Sequence, residues 1–193
     1  MVTIGVLALQ GAVKEHLDCL NALPEVRGIP VKKAADFTDI DGLILPGGES
    51  TTMGKLLREY NLSQLLIDKI TGGMPVWGTC AGMILLAKTI TGENIRHLGV
   101  MDICVRRNAY GSQLDSFATS VVIPELGATP IPLVFIRAPY VESAGANVKI
   151  LAKVDDKIVA VEENNMLATA FHPELTDDLS FHKYFINKVI KRG

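Results

Sequence analysis

The chain has 193 residues, 48% of them hydrophobic and 21% charged, with a formal net charge of −2. That size suits one domain, residues 1–193, around one core. The scattered lysines and arginines exclude a nucleic-acid surface, and no apolar run reaches the ~18 residues of a membrane span. Three cysteines, Cys19, Cys80 and Cys104, are too sparse for a disulfide scaffold or a zinc site; they point to a reducing, cytoplasmic setting.

The apolar, β-branched start, residues 2–9, predicts a first strand. It lacks a basic leader and is broken by Gln10-Gly11, so it does not read as a signal peptide. Val13, Leu17 and Leu20 give helical spacing over 12–23, with Pro24 after it. A second strand is predicted over 31–34, and a short buried one over 43–45 ending in Pro46-Gly47-Gly48. Residues 52–59 and 63–70 read as helical, 74–77 as a buried strand, and 83–88 as the start of a helix. This alternation predicts an α/β fold, a mostly parallel sheet with helices on both faces. The second half is richer in strands: 99–105, 117–122, 133–136, a hairpin of 150–154 and 158–162 turning at Asp155-Asp156-Lys157, and a closing strand over 167–171. A helix is predicted over 180–191. In open parallel sheets ligands gather at the carboxyl ends of the strands. Leu9-Gln10-Gly11, the 46–50 segment and the turn at Cys80 are expected at that edge.

Cys80 stands in Gly78-Thr79-Cys80-Ala81-Gly82, between a predicted strand and a predicted helix. A cysteine with glycine two residues away on each side, at such a turn, is the thiol form of a nucleophile elbow. The glycines admit a bend where a side chain would clash, and the helix N-terminus favours thiolate. Alone, Cys80 could be an ordinary buried cysteine. A base appears later, in Phe171-His172-Pro173-Glu174. Residues two apart in extended chain share a face, so Glu174 can orient His172, with Pro173 stiffening the link. Alone, that segment would read as a surface turn. Together, Cys80, His172 and Glu174 supply a nucleophile, a general base and an orienting carboxylate.

These motifs resemble the class I, or triad, glutamine amidotransferases, with added β-hairpins on a flavodoxin-like sheet. The similarity is greater to one branch, the glutaminase subunits of pyridoxal 5′-phosphate synthase. It is carried by residues 5–11, Leu45-Pro46-Gly47-Gly48-Glu49-Ser50-Thr51-Thr52-Met53, residues 78–82, Arg107-Asn108-Ala109-Tyr110-Gly111, Phe135-Ile136-Arg137-Ala138-Pro139 and His172-Pro173-Glu174-Leu175-Thr176. The resemblance spans essentially the whole chain. It implies hydrolysis of L-glutamine to L-glutamate and ammonia, with Cys80, His172 and Glu174 catalytic. It implies Gly48 and Ala81 as oxyanion donors, and Gly48, Glu49, Ser50, Arg107, Ile136 and Arg137 around glutamine. Ile136 and Arg137 could contribute mainly backbone. It further implies a partner synthase subunit that builds pyridoxal 5′-phosphate from ribose 5-phosphate and glyceraldehyde 3-phosphate, in a large assembly of twelve copies of each subunit. A glutaminase serving another synthase, of the histidine-biosynthesis type, and a non-catalytic regulatory subunit are the alternatives.

No cluster has metal-ligand spacing and no Gly-x-Gly-x-x-Gly follows the first strand, so neither a metal nor another cofactor is expected. His16, His97 and His182 lack a nucleophile or carboxylate neighbour in sequence; His16 and His182 read as surface or packing residues of helices. Cys19, Cys104, Met53, Met83 and Met101 read as core filler.

Overall fold

A computed structural model of the chain describes residues 1–107 and 116–191. The first half runs β1 (Val2–Leu7), α1 (Val13–Asn21), β2 (Val26–Val31), β3 (Gly42–Leu45), α2 (Ser50–Glu59), α3 (Ser63–Thr71), β4 (Val76–Thr79) and α4 (Ala81–Leu86). The second half runs β5 (Ala87–Ile90), β6 (Met101–Arg106), β7 (Ser116–Val121), β8 (Ile131–Ile136), β9 (Tyr140–Ala144), β10 (Lys149–Val154), β11 (Lys157–Glu163), β12 (Met166–Thr169) and α5 (Ser180–Ile190).

Ten strands form one sheet, in the order β2-β1-β3-β4-β12-β11-β9-β6-β5 with β10 paired to β11. From β2 to β12 the neighbours are parallel. From β12 through β11 and β9 to β6 they are antiparallel, and β5 returns parallel to β6. β7 and β8 make a separate antiparallel ribbon.

Helices cover both faces of the parallel half. Consecutive residues of a strand point to opposite faces. Trp77 of β4 packs its ring against Phe181 and Phe185 of α5 and against His16 of α1. The next residue, Gly78, faces α4 so closely that a Cβ there would lie 2.5 Å from the Gly82 backbone. Because both faces are covered, β3, β4 and β12 are buried at every position. β6 and β8 instead alternate buried and half-buried residues. Met53, Met83 and Met101 lie fully inside the core, as their apolar context predicts. None of the helices among the described residues is long and apolar enough to cross a membrane.

Several boundaries differ from the sequence expectation. The second strand is β2, not 31–34. It occupies the sheet's outer position, where Pro30 and Gly28 are tolerated although they blur its pattern. The apolar run after Cys80 does not continue as helix to Lys88: α4 ends at Leu86 and β5 begins at once. β5 and β9 have no counterpart among the predicted strands; both are short, and polar residues interrupt them. The hairpin at Asp155-Asp156 is as expected. Both residues have positive φ, 48° and 62°, the geometry a two-residue turn needs to follow strand twist. Cys19 and Cys104 are only partly buried.

Candidate active site

β3, β4 and β12 are adjacent and parallel, so their carboxyl ends deliver the following residues to one edge. Gly47-Gly48 follows β3, Cys80 follows β4, and His172 stands three residues beyond β12. Register fixes their heights: Thr79 pairs with Thr169, and the Cys80 N–H donates to the Thr169 carbonyl at 2.8 Å. The His172 N–H donates to the Val134 carbonyl of β8 at 2.8 Å, tying this edge to the ribbon.

Cys80 has φ +48° and ψ −102°, a conformation that L residues avoid. Holding it costs on the order of 1–3 kcal/mol, and such strain persists only where packing imposes it. The packing is visible in the flanking glycines. A Cβ on Gly82 would lie 2.0 Å from the Leu45 carbonyl oxygen, just as one on Gly78 would strike the start of α4. The elbow is therefore a close stacking of α4 onto β3 and β4, with the sulfur turned out at the N-terminus of α4.

His172 and Glu174 are both buried. His172 Nδ1 lies 2.8 Å from Glu174 Oε1. The route differs from the extended chain expected: Pro173–Leu175 is a 3-10 turn. Proline fits the first position of a helical turn, so Pro173 folds Glu174 back onto His172 rather than spacing the two along a strand. Burial disfavours the charged form of His172. The neighbouring Cys80 and Glu174 side chains, the latter hydrogen-bonded to Nδ1, outweigh it and push the imidazole pKa up to about 10. Burial also disfavours the Glu174 carboxylate, but the His16 and His172 imidazoles outweigh it and hold its pKa below the usual range.

A pocket of about 330 Å³ opens above these groups, and nearly every residue expected at the site borders it: Gly48, Glu49, Ser50, Cys80, Ala81, Arg107, Ile136, Arg137 and His172. Glu174 stands behind His172. Gln10 and Ile84, which carry no binding role in the sequence reading, complete the wall. Ser50 is buried, and its hydroxyl has no hydrogen-bond partner. Arg107 is not free: its guanidinium donates to the Glu93 carboxylate at 3.1 and 3.3 Å and to Thr51 Oγ1 at 3.3 Å. The residues after it in the Arg-Asn-Ala-Tyr-Gly motif lie outside the described residues. Arg137 is largely exposed, 4.0 Å from Glu49, with φ +42°.

Gly47 and Gly48 do more than turn the chain. A Cβ on Gly47 would lie 2.4 Å from His172 Cε1, and one on Gly48 would lie 2.5 Å from Gln10 Oε1. The Gly47 carbonyl accepts the Ala12 N–H at 3.0 Å, and Gln10 Oε1 accepts the Glu49 N–H at 2.8 Å. The expected convergence of the β1 and β3 loops is thus built from direct hydrogen bonds.

Sequence reasoning left two histidines open between surface and packing. His16 and His182 are not surface residues; both are fully buried beneath Glu174. Nothing in their helical spacing separates them from packing residues. The available signal was a polar residue at the core-facing position of each helix.

The comparisons with known proteins agree with this fold. A solved structure described as a glutamine amidotransferase superposes with a TM-score of 0.91 at 41% identity, over 96% of this chain and 98% of that one. A glutamine amidotransferase from Thermotoga maritima, 13% identical with a TM-score of 0.63, shares the fold over 99% of this chain and 85% of its own. Pyridoxal 5′-phosphate synthase subunit PdxT of Ruminiclostridium cellulolyticum is 57% identical over 189 residues, 98% of this chain and 100% of its own length. Its counterpart in Clostridium botulinum is 53% identical, covering 99% of both chains. The model of the SNO glutamine amidotransferase family matches residues 6–191, from the first strand to the last helix. With all of the fold after the start of β1, and the edge holding Cys80, Gly48 and His172, inside that match, the chain belongs to the SNO glutamine amidotransferase family.

Proposed function

We propose that this chain, as one domain over residues 1–193, hydrolyses L-glutamine to L-glutamate and ammonia. The ammonia passes to a synthase subunit that makes pyridoxal 5′-phosphate from ribose 5-phosphate and glyceraldehyde 3-phosphate. The observation that carries this reading is the Cys80–His172–Glu174 constellation at the floor of a pocket with an unpartnered serine hydroxyl.

In this mechanism His172 holds the proton of the Cys80 thiol, and the sulfur attacks the carboxamide carbon. The carbonyl oxygen becomes an oxyanion, met by the Ala81 N–H, which as the first of α4 has no partner within the helix, and by the Gly48 N–H. His172 returns its proton to the departing nitrogen and releases ammonia, leaving a γ-glutamyl thioester. It then takes a proton from the water that hydrolyses the thioester. Glu174 holds the His172 ring and answers its charge throughout. Glu49, Ser50, Arg107 and the Ile136-Arg137 backbone hold the amino-acid end of glutamine; Arg107 does so as a guanidinium oriented by Glu93.

The partner assembly is twelve copies of each subunit, placed in the cytoplasm; three free cysteines suit that compartment. The Ala12–Gly47 and Gln10–Glu49 hydrogen bonds support a docking-dependent site. A partner seated against the β1 loop would act on the Gly47-Gly48 peptide, and only one orientation of that peptide aims its N–H at the oxyanion. Ammonia release by the chain alone and with its synthase tests both parts. The expected result is slow turnover alone, fast turnover in the complex, and none with Cys80→Ser. More than a few per cent of wild-type release by Cys80→Ser would remove the assignment. Equal kcat alone and in complex would remove only the switch.

A further inference from the structure

Beneath the Glu174 carboxylate lies a pair of histidines that no step above uses. His16 Nδ1, on α1, is 3.1 Å from His182 Nε2, on α5. His16 Nε2 is 3.2 Å from Thr79 Oγ1, next to the elbow, and 3.4 Å from Glu174 Oε2. Glu174 engages His172 through Oε1 alone. Its Oε2 is buried and has no hydrogen-bond partner. A carboxylate at that depth needs charge or dipoles to answer each oxygen.

The protons can be assigned from the geometry. Two imidazole nitrogens 3.1 Å apart share one hydrogen, so one ring donates and the other accepts. If His16 Nδ1 were the donor, a neutral His16 would turn the Nε2 lone pair toward the Glu174 oxygen, a repulsive contact. With His182 Nε2–H donating instead, His16 carries its hydrogen on Nε2, between Thr79 Oγ1 and Glu174 Oε2. The unpartnered His182 Nδ1 is then a lone pair rather than an orphaned N–H. Burial keeps both rings neutral near neutral pH. It pushes His16 down against the pull of Glu174, with His172 lowering it further and Glu15 raising it. It pushes His182 down to about 3, helped by His16 and opposed by Glu174. Trp77 walls the pair, edge-on to both rings.

We propose that His16, held in its Nε2–H tautomer by His182, is a positioning residue that seats the second oxygen of Glu174. The catalytic carboxylate then has one imidazole on each oxygen. Cys80, His172, Glu174, His16 and His182 form one connected line from the pocket to the core. The inference rests on the glutaminase reading of the Cys80 site.

The test uses the chain assembled with its synthase subunit, measuring ammonia release against pH. His16→Leu should lower kcat roughly 10- to 100-fold with KM for glutamine within about twofold. The acid limb of kcat/KM should move to higher pH, because Glu174 without the donor protonates more readily. His16→Gln, whose amide can place an N–H near the Nε2 position, should recover most of kcat. His182→Phe should fall between the two. In the wild-type chain, nitrogen-15 NMR of the histidines should show His16 protonated on Nε2 and bare on Nδ1. His16→Leu with wild-type kcat and an unmoved acid limb would overturn the proposal. So would His16→Gln as damaged as His16→Leu, or a His16 proton on Nδ1. Wild-type turnover and the Cys80→Ser control report separately on the glutaminase reading.

Discussion

The two halves of the sheet contribute to the site in different ways. The parallel half, β2 to β12, brings the proposed chemistry. Cys80 and His172 leave neighbouring strands at matched heights and are locked by backbone contacts that leave no room for a Cβ at Gly47, Gly78 or Gly82. While Glu49 and Ser50 come from the parallel half, the antiparallel half and its ribbon bring three of the residues proposed to grip glutamine: Arg107 just past β6, and Ile136 and Arg137 at the end of β8. These side chains are partly or largely exposed; the Arg107–Glu93 pair is part-buried and the Arg137–Glu49 pair lies at the surface. The reacting groups are thus held by burial and register, the antiparallel half's gripping residues at a rim. Close-packed elements fix geometry better than rim contacts do.

That contrast sets the order of effects. The largest belongs to the parallel half: His172→Asn should cost at least ~10³-fold in kcat, with Glu174→Gln less severe because it orients rather than transfers protons. Steady-state kcat for the two variants checks the order, and a Glu174→Gln defect exceeding that of His172→Asn would reverse their roles.

Gly82→Ala should destabilise the fold by about 3 kcal/mol or more, since its methyl would enter the Leu45 carbonyl 2.0 Å away. Urea denaturation measures it. A loss below about 0.5 kcal/mol, the size expected at an ordinary surface site, would show that the elbow is not clamped as described.

At the rim, Arg107→Ala should raise KM for glutamine about tenfold with little change in kcat, as for loss of one charged hydrogen-bonding group. A fall in kcat at constant KM would move Arg107 from grip to chemistry and erase the division between the halves.

The smallest effect is on stability against pH. His16 and His182 have folded pKa values below 6.5, so the stability they lend is present above that pH and is lost as acid protonates the unfolded chain, for His182 down to about 3. His172 is raised to about 10, so its contribution is complete below pH 6.5 and fades as pH rises toward 10. Between pH 6.5 and 5 the first two change together with His97, whose pKa burial also lowers, and stability should fall as acid is added, each fully buried ring contributing up to about 1.4 kcal/mol per pH unit. His182→Phe should make that limb shallower by up to one proton. Chemical denaturation across the range checks it; unchanged stability from pH 6.5 to 5 would mean that the histidines are not buried neutral.

Most of the pocket's lining was expected only from family resemblance, whereas the sequence by itself determined the alternation that builds a parallel sheet, the elbow at Cys80 and the Gly47-Gly48 turn. Each is a local pattern: glycine spacing, apolar runs and charged residues beside a turn record what the nearby backbone must do. Only the tertiary structure decided the rest. β5 and β9 are too short and polar to announce themselves, and exist because a neighbouring strand satisfies their backbone groups. The His172–Glu174 pairing was legible, but its 3-10 route was not, because Pro173 permits either an extended link or a helical turn. His16 and His182, 166 positions apart, are marked only as polar residues at core-facing helix positions. Their meeting under Glu174 follows from α1 and α5 packing on the same face of the sheet as Trp77, and no periodicity within either helix encodes what the other brings.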